Sequence, residues 1–135
     1  MKNIAIIYPH QLFELKYLPY DYTIVDSFII TEDPIFFSDS ERQLKFNMLK
    51  LIYQRASMMY YRDYLKDNLK DHNIKVKYIN YGSKKQHTLT EIIKLFGTGH
   101  TLHIIDPVDN LLESRIKLFE KKFNIEMYET PAFLS

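Results

Sequence analysis

The chain has 135 residues, of which 46% are hydrophobic and 26% are charged, a composition typical of one soluble globular domain. Its formal net charge of +1 gives no reason to expect binding to nucleic acid or to an anionic membrane. The absence of cysteine excludes a disulfide framework, a thiol nucleophile, iron-sulfur ligation and a cysteine-based zinc site. No apolar run is long enough for a secretory signal or a membrane span, so we expect a cytoplasmic protein.

Short apolar segments of strand character recur along the chain. The predicted strands cover residues 3–8, 25–31, 74–80, 100–105 and 125–128. They are bounded by polar or turn residues, and β-branched and aromatic residues are frequent in them, as in buried strands. The connection between the first two strands has room for at most a short helix, whereas each later connection is long enough for a full helix.

Capping signals mark three helices in those later connections. A capping box at 40–43 opens a long helix that runs to about residue 71, and its two apolar stripes predict that it contacts more than the sheet. A second capping box at 88–91 opens a helix that Gly97 ends. Asp106 and Pro107 supply the N-cap and first residue of a third helix over 108–122.

Strands that alternate with helices predict a parallel sheet, because each right-handed crossover needs a covering helix. We therefore predict an α/β fold for the single domain 1–135: a Rossmann-like three-layer sandwich with a five-stranded parallel sheet in the order 3-2-1-4-5. Ligands of such sheets lie outside the carboxyl ends of the strands, where the strand order reverses. This edge holds the polar loops 8–13, 32–37 and 106–109.

Each loop also has a purely structural interpretation. His10 and Gln11 are as well suited to capping a short turn as to contacting a ligand. Glu32 and Asp33, before a proline, fit an ordinary turn. Asp106 is more typical of a helix N-cap, although a partly open cap would let its carboxylate hold a ribose or ribityl hydroxyl.

The motifs of several chemistries are missing. The three glycines lie at 82, 97 and 99, so no glycine-rich loop follows the first strand, and an uncharged ligand is favoured over a phosphorylated nucleotide. His100 and His103 point to opposite faces of a strand, which disfavours metal chelation. Ser57 lies inside a helix without a glycine elbow and is a poor hydrolase nucleophile. The tyrosines at 53, 60, 61 and 64 fit a core and helix surface better than a stacking platform for a heterocycle.

Five segments together carry a family resemblance that spans essentially the whole chain. They are YPHQLF at 8–13, EDPIFF at 32–37, KLIYQRASM at 50–58, VKYI at 76–79 and TPAFL at 130–134. In order and spacing they resemble the N-terminal domain of the deoxyribodipyrimidine photolyase-related proteins. This is the branch of the photolyase/cryptochrome superfamily with the bacterial iron-sulfur cryptochromes and prokaryotic (6-4) photolyases.

The resemblance implies a Rossmann-like module that can hold an antenna chromophore, 6,7-dimethyl-8-ribityllumazine or a similar compound. His10, Gln11 and Leu12 match the family's loop after the first strand, and Glu32 with Asp33 matches its acidic position after the second. With Asp106, these are the expected cofactor-binding residues. The family's basic His-Lys pair ahead of the Arg-Ala-Ser-Met segment is Asn47-Met48 here, so the charge of that pair is missing.

In the family, a helical domain follows this module and holds FAD and an iron-sulfur cluster. We expect neither group, no catalytic residue and no metal site in these 135 residues. The isolated chain is then not an enzyme but part of a DNA photolyase when joined to a helical domain, in the same or a separate chain. Two alternatives remain open: an assembly module with a vestigial pocket, and a Rossmann-like domain that binds a nucleoside.

Overall fold

The computed structural model describes residues 2–32, 44–79, 88–107 and 110–131. The described strands are β1 (Asn3–Ile7), β2 (Ser27–Thr31), β3 (Lys75–Ile79), β4 (Thr101–Ile105) and β5 (Asn124–Tyr128). The described helices are α1 (Leu44–Leu69), α2 (Thr88–Phe96) and α3 (Asn110–Lys117). Short 3-10 turns lie at Leu15–Tyr17, Tyr22–Ile24 and Lys70–His72.

The sheet is parallel throughout and has the order β3-β2-β1-β4-β5, which confirms the predicted fold class and strand order. In its centre, Ile4 lies opposite both Ser27 and Leu102. The three inner strands are almost entirely buried, as expected where helices cover both faces of a parallel sheet. The edge strands β3 and β5 are partly exposed.

Successive residues of each strand point to opposite faces, so the sheet separates two cores. On one face, α1 and the β1–β2 connection cover the alternate apolar side chains of the inner strands. On the other face, α2 and α3 cover the remaining apolar side chains of these strands. Each fully buried aliphatic side chain contributes about 1.5–3 kcal/mol relative to an exposed one. The first core includes Ile7, Phe28, Met58, Leu65 and Leu69, and the second includes Ile6, Ile29, Ile92, Leu102 and Ile116.

The helix ends differ in part from the predictions. Gly97 ends α2 with a φ of 84°, which confirms its predicted role, because residues with a side chain rarely adopt this conformation. Thr88, predicted as the N-cap of α2, is itself helical, and its hydroxyl shares a 2.7 Å hydrogen bond with Thr31. The box at 40–43 lies outside the described residues.

The third helix is shorter than predicted. α3 covers Asn110–Lys117 and ends at Lys117 instead of at residue 122, while residues 108 and 109, which join Asp106 and Pro107 to this helix, lie outside the described residues. After α3 the backbone tightens into bonds between residues three apart, from Leu118 N–H to Arg115 O at 3.2 Å and from Phe119 N–H to Ile116 O at 3.0 Å. This tighter turn fits the burial of Phe123 in the core at the start of β5.

Candidate functional site

Three of the six predicted site residues meet at the point where the strand order reverses, between β1 and β4. Gln11 is 1% exposed, and its Nε2 donates to the backbone oxygens of Ile105 at 2.8 Å and Asp106 at 3.3 Å. The ring Nε2 of the exposed His10 lies 3.1 Å from the backbone oxygen of Pro107. The loop after β1 is therefore tied directly to the loop after β4, as the topology predicts.

The orientation of the Gln11 amide is fixed by these contacts, because both partners are acceptors and can only face the NH2 group. Its buried Oε1 then has no hydrogen-bond partner within the described part of the chain. The backbone of Asp106 is held from the other side: its N–H donates to Tyr128 O at 2.6 Å, and its oxygen accepts from the Thr130 hydroxyl at 3.2 Å. The junction is polar and contains the buried acceptor Gln11 Oε1.

Glu32 lies at the end of β2, and its buried carboxylate forms an ion pair with Arg55. Its carboxylate accepts from Nε and Nη2 of Arg55, each at 2.7 Å, and from the hydroxyl of Tyr78 at 2.5 Å. The Glu32 side chain has no exposure, while that of Arg55 is 50% exposed. Both Glu32 oxygens therefore hold α1 and β3 to the end of β2.

The two neighbours of this carboxylate, Tyr78 and Arg55, both have raised pKa values. Burial, followed by the hydrogen bond to Glu32, raises the pKa of Tyr78 well above its ordinary value. The hydrogen bond to Glu32 is likewise the main cause of the raised pKa of Arg55. At neutral pH the tyrosine is thus neutral and the arginine charged. Asp33, the other predicted acidic ligand residue, lies outside the described residues.

The sixth predicted residue, Leu12, lines a cavity of ≈540 Å³ between the β1–β2 connection and α1. Tyr60, which is 79% exposed, lies at the solvent side of this cavity. The described lining consists of Leu12, Glu14, Ala56, Ser57, Tyr60, Tyr61 and Tyr64. We call this space the tyrosine cavity.

Two tyrosine hydroxyls hold the wall of the tyrosine cavity in place. The Tyr61 hydroxyl donates to Phe13 O at 2.5 Å, and the Tyr64 hydroxyl accepts from Leu15 N–H at 3.0 Å. The two rings stack with centroids 5.7 Å apart and planes inclined by 27°. Burial raises the pKa of Tyr61 far above its ordinary value, so the hydroxyl keeps its proton and donates. The loop is thereby fixed to α1.

Sequence reasoning did not identify this cavity as the main candidate site. The predicted core and helix-surface positions of the tyrosines agree with the buried Tyr61 and the exposed Tyr60, but they do not include the space between them. The available signal was their helical spacing, since Tyr60 and Tyr64 are one turn apart on the same side of α1. The spacing could not predict the position of Glu14, because that position depends on the path of the loop after β1.

His103 in β4 and His100, which directly precedes this strand, form separate sets of hydrogen bonds. Nδ1 of His100 accepts from Lys2 N–H at 3.0 Å, so its Nε2 donates to Phe96 O at 2.8 Å. The ring of His103 bonds to the Tyr128 hydroxyl at 2.8 Å and to Asn3 Oδ1 at 3.0 Å. Within the described ranges, no three His, Asp or Glu side chains are grouped as metal ligands, and no helix is long and apolar enough to cross a membrane.

Comparison with known proteins extends over almost the whole chain. A protein of Acanthamoeba polyphaga mimivirus, described as uncharacterized, is 49% identical over 136 residues, a match that covers 99% of this chain and 67% of that protein. No solved structure matches significantly. The family model of the deoxyribodipyrimidine photo-lyase-related proteins matches residues 5–135. The chain therefore belongs to the deoxyribodipyrimidine photo-lyase-related protein family.

Proposed function

We propose that this domain is the antenna-type module of a photolyase-related protein and that it holds a flat, ribityl-bearing heterocycle such as 6,7-dimethyl-8-ribityllumazine. The observation that carries the proposal is the tyrosine cavity, which adjoins the loop after β1. Its volume of ≈540 Å³ lies within the usual range of about 300–1,000 Å³ for small-molecule sites. The loop belongs to one of the segments that resemble the family.

The lining of the cavity suits such a ligand. Tyr60, Tyr61 and Tyr64 offer aromatic surface for a flat ring, and Leu12 adds an aliphatic contact on the opposite wall. The Ser57 hydroxyl and the Glu14 carboxylate are polar groups that can orient a ring edge or a ribityl chain. Because two tyrosine hydroxyls already fix the wall, little conformational entropy is lost when the ligand enters.

The remaining predicted residues then have a supporting role. His10, Gln11 and Asp106 set the course of the loop from which Leu12 and Glu14 project. The bound heterocycle would absorb light and pass the excitation energy to FAD in a helical domain. Repair of DNA, cryptochrome-type signalling and membership of the (6-4) branch belong to this proposal for the whole protein and not to the 135 residues alone.

A fluorescence titration of the purified chain with the lumazine tests the proposal. Two tyrosines on α1 provide a matched pair: Tyr53 and Tyr60 are two turns apart and 72% and 79% exposed, but only Tyr60 is among the described residues lining the cavity. We expect Tyr60→Ala to weaken binding about two- to tenfold, because a stacked aromatic pair contributes roughly 0.5–1.5 kcal/mol. Tyr53→Ala should leave the affinity unchanged.

Two results would contradict this function. If the chain binds no lumazine at any reachable concentration, the cavity is not an antenna site. If adenosine displaces the lumazine and binds more tightly, the domain is a nucleoside binder instead. Equal effects of the two tyrosine substitutions would place the ligand elsewhere on the domain.

A second function, assembly with a helical domain or subunit, is favoured by the outer face of α1. Large side chains with high exposure lie on the side of α1 that is turned away from the sheet: Ile52 at 61%, Tyr53 at 72% and Tyr60 at 79%. The buried Met58, Leu65 and Leu69 occupy the opposite side of the same helix. A helix that is apolar on both sides is typical of one covered by a further layer.

Co-expression with the FAD-binding helical part of a photolyase-related protein tests this second function. We expect the two chains to elute together in size-exclusion chromatography and to separate when Ile52 and Tyr53 are both replaced by Glu. This double variant should still bind the lumazine, since neither residue is among the described lining of the tyrosine cavity. Separate elution of the unmodified chains would argue against assembly without affecting the antenna proposal.

A further inference from the structure

Glu14 has an unusual position for an acidic residue beside an aromatic cavity. It precedes the 3-10 turn Leu15–Tyr17, but its side chain does not cap that turn, so the carboxylate is not committed to the neighbouring backbone. Its ion pair with Lys16 is long, at 3.5 Å, and the two side chains are 59% and 68% exposed. Such an exposed pair contributes little and rearranges easily.

Lys16 pairs with Glu14 from outside the described lining of the cavity. Its Nζ lies 5.0 Å from the centroid of the Tyr17 ring, and neither Lys16 nor Tyr17 is among the described residues lining the cavity. Glu14 carries the one formal charge within that described lining. Among the described lining residues, an anionic ligand would thus meet a carboxylate and no cation.

The described lining of the cavity also contains no structural feature that binds phosphate. Its helical wall runs from Ala56 to Tyr64, well inside α1 (Leu44–Leu69), where each backbone N–H is used by the helix. Phosphate sites on helices use the unpaired N–H groups and positive dipole of the first turn, or the forked donors of arginine. Neither is present among the described residues that line this space.

We propose that Glu14 makes the tyrosine cavity selective for the unphosphorylated form of its chromophore. The carboxylate accepts a hydrogen bond from a ring N–H or a ribityl hydroxyl and repels a phosphate at the end of the ribityl chain. This inference rests on the antenna function proposed above. It adds the residue that distinguishes a free ribityl heterocycle from its 5′-phosphate.

Riboflavin and FMN provide the matched probes, because they share the ring and ribityl chain and differ in the phosphate. In a fluorescence titration of the 135-residue chain at low salt, we expect riboflavin to bind about five- to tenfold more tightly than FMN. At 1 M salt, where screening acts over about 3 Å, the ratio should fall towards one. This salt dependence separates charge repulsion from a steric effect of the phosphate.

Charge variants of Glu14 test the assignment. We expect Glu14→Gln to reduce the preference for riboflavin to less than about twofold and Glu14→Lys to favour FMN. The matched control is Glu120→Gln, an exposed acidic residue that is not among the described lining of the tyrosine cavity and should leave the ratio unchanged. Urea unfolding of each variant checks that the fold is retained.

The outcomes distinguish this inference from the function on which it rests. If neither riboflavin, FMN nor the lumazine binds, both proposals fail together. If the lumazine binds in a Tyr60-dependent manner but riboflavin and FMN bind equally, the antenna function stands and the role of Glu14 is refuted. A preference for riboflavin that survives in both Glu14 variants also refutes it.

Discussion

Arg55→Met should destabilise the protein much more than an ordinary surface substitution. Arg55 gives two 2.7 Å hydrogen bonds to Glu32, whose side chain has no exposure. The methionine keeps much of the aliphatic stem but removes the cation, so a carboxylate remains in the interior without this charge partner. The structure thus predicts a cost that arises from Glu32 rather than from the contacts of Arg55 itself.

The exposure of the two side chains sets the magnitude. Breaking a fully buried ion pair costs about 3–5 kcal/mol, and exposed pairs contribute about 0.2–1 kcal/mol. Here the carboxylate is buried but the arginine is 50% exposed, so water already screens part of the interaction. We therefore expect Arg55→Met to lower the free energy of unfolding by about 2–3 kcal/mol, or roughly 6–12 °C in Tm.

Urea unfolding followed by circular dichroism measures this change, with Arg62→Met as the control. Arg62 lies two turns further along α1 and pairs at 3.3 Å with the exposed Asp63, so its replacement should cost less than about 0.5 kcal/mol. Glu32→Gln should cost less than Arg55→Met, because it leaves a half-exposed arginine rather than a buried carboxylate. If Glu32→Gln costs more, or if both arginine variants cost the same, the reasoning is wrong.

Two further predictions concern buried polar groups. The Tyr20 hydroxyl is buried and has no hydrogen-bond partner within the described ranges, so Tyr20→Phe should leave the free energy of unfolding unchanged or raise it by up to about 1 kcal/mol. Tyr61→Phe loses a hydrogen bond to Phe13 O and should lower the free energy of unfolding by about 1 kcal/mol, as measured with urea. The reverse ranking would contradict this interpretation. Burial lowers the pKa of His103 below 6.5, against a smaller opposing effect of Glu126, so the folded state binds a proton less readily than the unfolded state. Stability should therefore decline as the pH falls below about 6.5, and urea unfolding between pH 7 and 5 should show a smaller decline for His103→Gln.

The fold was predictable because its signals are local and repeated. Strands that are buried on both faces, such as 3–7 and 101–105, appear in the sequence as short apolar runs. The helices between the strands are indicated by the helical periodicity of their apolar residues. Right-handed crossovers then leave few ways to order the strands. The errors occurred at helix ends, as at the C-terminal end of α3, which stops at Lys117 while Phe119 and Phe123 beyond it pack against the second core.

The candidate site was predictable only in part. Strand ends locate loops, and so the meeting of His10, Gln11 and Asp106 followed from topology alone. The sequence could not predict that Glu32 pairs with Arg55. An acidic residue after a strand gives the same sequence pattern whether its carboxylate contacts a ligand or an arginine 23 residues away. Whether Glu32, His10, Gln11, Asp33 or Asp106 contacts a ligand stays a prediction.

The sequence by itself determined the α/β class, the strand order, the family and the absence of cysteine chemistry, because these depend on residue type and on spacing along the chain. The tertiary structure decided which polar groups form hydrogen bonds within the fold and which line a cavity. Tyr61 and Tyr64 fix the loop after β1 through hydroxyl contacts over 48 and 49 residues, and this places Glu14 beside the cavity. Such contacts depend on side-chain positions across the gap between loop and helix, which no local pattern encodes.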